Sequence, residues 1–203
     1  VPCSEIDPFL NFFVEIGCQC TRGSSSGSAG TEDSPFSATY ISCLMEPSVD
    51  CQLPSNITFS AAIRAKLANH ITSDPIYGKT ASISIIHYHD AVAKCRLASS
   101  SNQSGTVVSN ITAISVQSQC SGVNVNGMNN TPIVFTMNTK PVNQNKAECQ
   151  GGDVDVCVWF DKAISKWSRD GCTARRIGST KIECSCSHLT EFAILRNSEE
   201  KRP

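Results

Sequence analysis

Twelve cysteines in a chain of 203 residues constrain the fold more than any other feature of this sequence. The number is even, which is typical of a chain whose cysteines pair in disulfides. Four Asn-x-Ser/Thr sequons, at Asn56, Asn102, Asn110 and Asn129, offer acceptors for N-linked glycans in the same oxidising secretory compartment. We therefore expect an extracellular, glycosylated domain that is held together by disulfide bonds.

The balance of charge argues against a nucleic-acid partner. The chain has 17 basic and 18 acidic side chains, a formal net charge of -1, and no basic stripe that could follow a phosphate backbone. No apolar run reaches the roughly 18 residues that span a bilayer, and no charged-then-apolar leader opens the sequence. These patterns predict a processed ectodomain on the extracellular side of a membrane.

Hydrophobic periodicity predicts a mainly β chain with one or two short N-terminal helices. Asp7-Pro8 and Gly17 suit the two ends of a short helix, and apolar residues at intervals of four predict another helix within 57–71. Residues 21–34 are rich in Ser, Gly and Thr and predict a mobile loop. Farther along, the period changes to two, which favours a sandwich of short strands. The strands predicted from this alternation are Ser82–Ile85, Val107–Val108, Ile111–Val116 and Ile133–Phe135.

The most specific pattern lies near the C-terminus and combines cysteines, tryptophans and a His-Leu-Thr tripeptide. Its elements are Cys157, Trp159, Trp167, Gly171-Cys172, Cys184-Ser185-Cys186 and His188-Leu189-Thr190. Together they resemble the proteolysis-site (GPS) motif that closes the GAIN domains, the autoproteolysis-inducing domains of adhesion G-protein-coupled receptors and polycystins. The full set is far more specific than the tripeptide alone.

The resemblance implies a twisted β-sandwich, similar to GAIN subdomain B, over residues 55–197, with the GPS motif at 149–195. Residues 1–54 then form a cysteine-rich segment with a short helix and a Gly/Ser loop, where full family members have a helical subdomain. The polar residues from Arg196 onward predict exposed chain, and we assign 198–203 to a stalk. Trp159 and Trp167 are expected in the core, and Gly171 is expected to permit a tight turn.

The four motif cysteines are expected to form two disulfides. Cys184 and Cys186 are poor partners for each other, because side chains two apart on a strand diverge along it. Of the two cross-pairings that remain, we favour Cys157 with Cys184 and Cys172 with Cys186. Each bridge would stabilise the fold by roughly 3 kcal/mol in the chain-entropy model. A zinc site built from these thiols and His188 is the alternative, but sequons and cysteine parity favour oxidation, so we expect no metal or other cofactor.

The resemblance also implies a single self-cleavage between Leu189 and Thr190. His188 would act as general base, and Thr190 Oγ would attack the carbonyl carbon of Leu189, so that an ester replaces the amide before water hydrolyses it. This would be a single-turnover reaction in cis, with no external substrate. A turn that is never cut is the alternative.

After cleavage, the segment from Thr190 to Leu195 would remain in the domain as a buried strand. In adhesion receptors the equivalent segment is a tethered agonist, and the residues expected to form it here are Thr190, Phe192, Ala193, Ile194 and Leu195. The expected partners are this strand itself, the transmembrane domain of the parent protein and an unidentified extracellular ligand. The competing functions are an uncleaved adhesion or ligand-binding ectodomain and, with little support, a secreted hydrolase.

Overall fold

The computed structural model describes most of the chain from residue 26 onward, with gaps. The described ranges are 26–29, 36–44, 53–71, 79–88, 105–118, 121–122, 131–141 and 154–197. Within them lie one helix, α1 (Ala61–His70), and thirteen strands. The strands are β1 (Ser26–Ala29), β2 (Phe36–Leu44), β3 (Ile57–Thr58), β4 (Thr80–Tyr88), β5 (Thr106–Val107), β6 (Ile111–Ser118), β7 (Ser121–Gly122), β8 (Ile133–Asn138), β9 (Val154–Asp161), β10 (Lys166–Ser168), β11 (Cys172–Arg176), β12 (Lys181–Cys186) and β13 (Glu191–Asn197).

The described strands form two antiparallel sheets. The larger has nine strands, in the order β1-β2-β4-β6-β13-β9-β10, with β5 also paired to β13 and β7 to β6. The smaller has four, in the order β11-β12-β8-β3. Apolar side chains from both sheets and from α1 share one buried cluster, which is the core between the sheets. The predicted mainly β sandwich is confirmed.

Strand β13 is an interior strand of the larger sheet. It pairs with β9 on one side and with β6 and β5 on the other. Phe192 and Ile194 point into the core between the sheets. Ala193 and Leu195 belong to a second buried cluster on the opposite face of the same sheet. Both faces of β13 are therefore covered, as expected of an interior strand.

The N-terminal part of the described chain differs from the prediction. The predicted loop at 21–34 contains β1, which pairs with β2, and β2 pairs with β4 along nine residues. The prediction started the sandwich at residue 55, but β1 and β2, which precede that residue, belong to the larger sheet. Alternation of Ser and Thr with apolar residues in β2 gives a weak hydrophobic signal, which tertiary pairing overrides. The helix predicted from Asp7 to Gly17 lies outside the described residues.

Two element boundaries also differ from the prediction. The helix begins only at Ala61, because the Ser60 hydroxyl caps it by accepting a hydrogen bond from Ile63 N at 3.2 Å. The preceding β-branched residues Ile57 and Thr58 pair with β8 instead. At the other end, Arg196 was expected to be exposed, but it lies within β13, with its side chain only 12% exposed. Among the described residues, no helix is long and apolar enough to cross a bilayer.

Candidate functional site

Two disulfides fix the strand that leads to His188. Cys157 of β9 bonds Cys184 of β12, which ties the larger sheet to the smaller one. Cys172 of β11 bonds Cys186, its directly opposed partner on β12. This is the pairing favoured from the sequence, and it leaves no thiolate at these positions to bind zinc. The end of β12 is therefore anchored on two sides, two residues before His188.

Two aromatic rings lie close to the His188 ring. Trp159 meets it edge-on, with ring centroids 4.5 Å apart, and Phe192 lies on another side at 6.0 Å. Trp159 is half-buried, and its indole N–H donates to the carbonyl oxygen of Asp170 at 2.9 Å, which fixes the orientation of the ring. Trp167, in contrast, is a core residue that is 4% exposed and packs on Phe160. Both were predicted to be core residues; Trp167 is buried, and Trp159 is half-buried and packs against the core between the sheets.

Among the described residues, the polar contacts of His188 involve Nδ1 and leave Nε2 without a partner. Nδ1 lies 3.5 Å from Ser187 Oγ, at the limit of a hydrogen bond. Nε2 is buried and has no hydrogen-bond partner among the described residues. Burial lowers the pKa of His188 below its ordinary value of 6.5, because a charged imidazolium loses hydration there. The ring is therefore neutral at physiological pH and can accept a proton.

Gly171 allows the turn before β11 to approach the His188 segment closely. Its carbonyl oxygen accepts a hydrogen bond from Ser187 N at 2.9 Å, and its φ is +72°, in the left-handed region. A Cβ at this position would collide with Ser187 Oγ and would lie 3.6 Å from His188 Nδ1. The glycine is thus needed for both its conformation and its lack of a side chain.

We expect Gly171→Ala to destabilise the domain by at least about 1–2 kcal/mol, the cost of a left-handed non-glycine residue. The matched control is Gly178→Ala. A Cβ at Gly178 meets only the Lys181 Cβ at 3.8 Å, and its backbone is not left-handed. Urea unfolding of both variants measures the difference. Equal midpoints would show that the turn adapts without cost.

The proposed scissile bond lies at the start of β13. Leu189 packs against the core between the sheets, and the Thr190 carbonyl oxygen accepts a hydrogen bond from Ile114 N at 3.0 Å. Both residues are half-buried. Within the described part of the chain, no hydrogen bond joins the His188 ring to Thr190. The two groups are therefore adjacent in sequence but not in a proton-transfer arrangement in this conformation.

A side chain replaces a backbone acceptor at the middle of β13. On one side, β13 pairs first with β6 and then with β5, and the regular pairing is interrupted between these two strands. At the interruption, Val108 N donates to the Ile194 carbonyl oxygen at 2.9 Å. Ile194 N in turn donates to Ser109 Oγ at 2.9 Å, and that hydroxyl donates to the Asn110 carbonyl at 2.8 Å. Ser109 thus satisfies a buried amide that the interrupted ladder would otherwise leave without an acceptor.

An ion-pair cluster holds the C-terminal end of β13. The side chain of Asp155 on β9 is 2% exposed and accepts hydrogen bonds from Arg196 Nε at 2.7 Å and Nη2 at 3.2 Å. Arg176 of β11 also donates to it. Arg196 reaches the carbonyl oxygen of Lys140 as well, at 3.1 Å. This cluster connects both sheets around the end of the strand.

Sequence reasoning missed Ser187, Ser109 and the Asp155–Arg196 pair. The only sign in the sequence that Asp155 is buried was its position between two valines in an alternating strand. For Arg196, the only sign was that it directly follows an apolar run. Of the predicted glycosylation sites, Asn56 is half-buried and Asn110 is exposed. Asn102 and Asn129 lie outside the described residues.

The fold and the motif together define the class of this domain. Residues 31–200 match the family model described as GPS, GAIN subdomain B. Because the match covers most of the chain, the chain belongs to this family, as the resemblance of its C-terminal motif predicted.

Individual relatives are adhesion receptors and latrophilins, and they match over a short stretch. Adhesion G protein-coupled receptor L4 of Danio rerio is 56% identical over 49 residues, which cover 23% of this chain and 7% of the receptor. Latrophilin-like protein 1 of Caenorhabditis elegans is 40% identical over 40 residues, or 20% of this chain and 4% of that protein. Human adhesion G protein-coupled receptor E3 is 39% identical over 51 residues, or 23% and 8%. The matched stretch is thus less than a tenth of the length of each relative.

Proposed function

We propose that this chain is the self-cleaving extracellular domain of a membrane receptor and that it cuts itself once, between Leu189 and Thr190. The neutral His188 imidazole takes the Thr190 hydroxyl proton, and Oγ attacks the carbonyl carbon of Leu189. The amide nitrogen leaves with a proton returned by the imidazolium, which gives an ester at Oγ and a free amine on Thr190. Water then hydrolyses the ester, leaving a carboxylate on Leu189 and restoring the hydroxyl.

The observation that carries this proposal is the state of His188. Its Nε2 is buried without a hydrogen-bond partner in the described part of the chain, and burial disfavours its charged form. A general base needs a neutral nitrogen that no other donor occupies. The nucleophile, the base and the acyl group are also on consecutive residues, so the chain itself keeps them close to one another. Such intramolecular reactions gain up to about 7–11 kcal/mol when the groups are aligned.

The pKa of His188 predicts how cleavage depends on pH. Because burial lowers the folded-state pKa of His188 below 6.5, more than half of the His188 rings are neutral at pH 6.5, and half become charged only at a more acidic pH. The unfolded chain binds a proton first as pH falls, so this group also lowers stability below pH 6.5 and has no effect above it. We expect the cleavage rate of newly translated chain, measured from about pH 5 to 8, to fall to half of its plateau only below pH 6.5. A rate already halved at pH 6.5 would contradict the assignment of His188.

We further propose that β13 stays in the sheet after the cut and is the tethered agonist. Burial of Phe192, Ile194 and Leu195 contributes roughly 1.5–3 kcal/mol each, so the fragments remain associated without the peptide bond. The transmembrane domain of the parent receptor would be the partner that receives the segment when an extracellular ligand or a pulling force frees it. A synthetic peptide from Thr190 onward that fails to activate the receptor would count against this role.

The competing function is an uncleaved structural ectodomain, and the missing hydrogen bond between His188 and Thr190 favours it. The mass of the denatured, non-reduced protein separates the two. Cleavage gives a free C-terminal fragment of fourteen residues, from Thr190 to Pro203, because no cysteine follows Cys186. A single full-length mass after prolonged incubation would reject self-cleavage.

A further inference from the structure

A polar cleft opens at an edge where the two sheets meet, on a different part of the surface from the GPS turn. Its volume is about 330 Å³. The larger sheet contributes His87 and Thr112 to its wall, and the smaller sheet contributes Asn138 and Lys181. The cleft is therefore a gap between the sheets that the apolar core does not fill.

The lining of this cleft suits a ligand with many hydroxyl and amide groups. The residues that line it include carriers of hydroxyls, amides, one imidazole and one ammonium group, and Met137 is the one apolar residue among them. His87 Nδ1 and Thr112 Oγ1 are hydrogen-bonded at 3.0 Å, which fixes both groups on the wall. These residue types supply both hydrogen-bond donors and hydrogen-bond acceptors, as recognition of a sugar requires. The volume is at the small end of the range of ligand sites, which restricts the occupant to one or two rings.

Two sequon asparagines, Asn56 and Asn110, lie on the lining of this same cleft. Asn110 is exposed, whereas Asn56 is half-buried and its carbonyl oxygen accepts a hydrogen bond from Thr136 N at 2.7 Å. In the folded domain, a glycan on Asn110 would have its first sugar beside the lining of the cleft. Binding to the wall would then be intramolecular, which favours even weak contacts.

We propose that the cleft seats the core N-acetylglucosamine residues of an N-linked glycan on Asn110. The glycan is then part of the fold, packed between the edges of the two sheets, and not a solvated surface chain. This inference rests on the predicted glycosylation of Asn110 and is independent of self-cleavage.

A seated glycan would also brace the strand proposed to be the agonist. Asn110 follows Ser109, whose hydroxyl donates to the Asn110 carbonyl and accepts from Ile194 N at the centre of β13. Restricting Asn110 thus restricts the hydroxyl that satisfies this buried amide. A glycan on Asn110 would therefore help to hold β13 in the larger sheet.

The test measures how fast a peptide N-glycosidase removes the Asn110 glycan from the native protein. The protein is secreted from a eukaryotic host, and conversion of each glycosylated Asn to Asp is followed by peptide mass spectrometry. Lys181→Met and His87→Ala each remove one wall contact, which is worth about 2- to 10-fold in an equilibrium. We expect both variants to accelerate release at Asn110 by that factor. Lys166→Met, an exposed lysine that does not line the cleft, should leave the rate unchanged.

Three outcomes would overturn the proposal. The first is an unoccupied Asn110 in the secreted protein, and the second is equal release rates in the wild type and both cleft variants. The third is acceleration at Asn56 with none at Asn110, which would assign the cleft to the other glycan. Because release is measured equally well on chains with Thr190→Ala, failure of self-cleavage would not affect the result.

Discussion

Thr190→Ala should leave one full-length chain under conditions in which the wild type yields two fragments. The substitution removes the hydroxyl that attacks Leu189, and no other nucleophile is placed by sequence next to that carbonyl. It should not unfold the domain, because Thr190 is half-buried and its hydrogen bond to Ile114 N uses the backbone carbonyl. Denaturing electrophoresis with intact mass measurement detects the difference.

Thr190→Ser is the matched control for this experiment. Serine keeps the hydroxyl at the same position, so cleavage should persist in this variant. Fragments from the Thr190→Ala chain would show that another group is the nucleophile. Intact wild-type chain would instead favour the uncleaved structural ectodomain.

The features that could be predicted from the sequence are those that depend on residues close to one another along the chain. The alternation of Phe192 and Ile194 with Ala193 and Leu195 predicted an interior strand, and the structure buries the two sets in separate clusters. The disulfide pairing of the motif was likewise accessible, because excluding a Cys184–Cys186 bond left two cross-pairings, and the structure has the favoured one. In these cases local pattern and tertiary structure agree.

The parts that the sequence did not predict depend on contacts between distant residues. Ser109 and Ile194 are 85 residues apart, and Asp155 and Arg196 are 41 apart. No periodicity indicates which hydroxyl will complete an interrupted ladder or which arginine will meet a buried carboxylate. Strand β2 was missed for a related reason. Its Ser and Thr residues weaken the hydrophobic pattern of the segment, and only the pairing with β4, which is distant in sequence, makes it a strand.

Asp155→Asn should strongly destabilise the domain. The side chain is 2% exposed and pairs with Arg196, which is 12% exposed, and with Arg176, so the variant removes the buried carboxylate that both guanidinium groups contact. Breaking a buried pair in this way costs about 3–5 kcal/mol. The hydrogen bonds from Arg196 to the carbonyl oxygens of Lys140 and Pro141 offset part of that cost. We therefore expect a loss of about 3 kcal/mol in urea unfolding.

The same substitution should weaken the retention of β13 in cleaved protein. A loss of about 3 kcal/mol corresponds to roughly a hundredfold faster loss of the C-terminal fragment, which dialysis and mass spectrometry would follow. Glu183→Gln is the control, since its partner Arg175 has a side chain that is 72% exposed, and a pair of this kind contributes only about 0–1 kcal/mol. Equal effects of the two variants would mean that the Asp155 cluster does not hold the strand. A stability loss without faster release would mean that the cluster stabilises the sandwich but that β13 leaves by fraying from its Thr190 end.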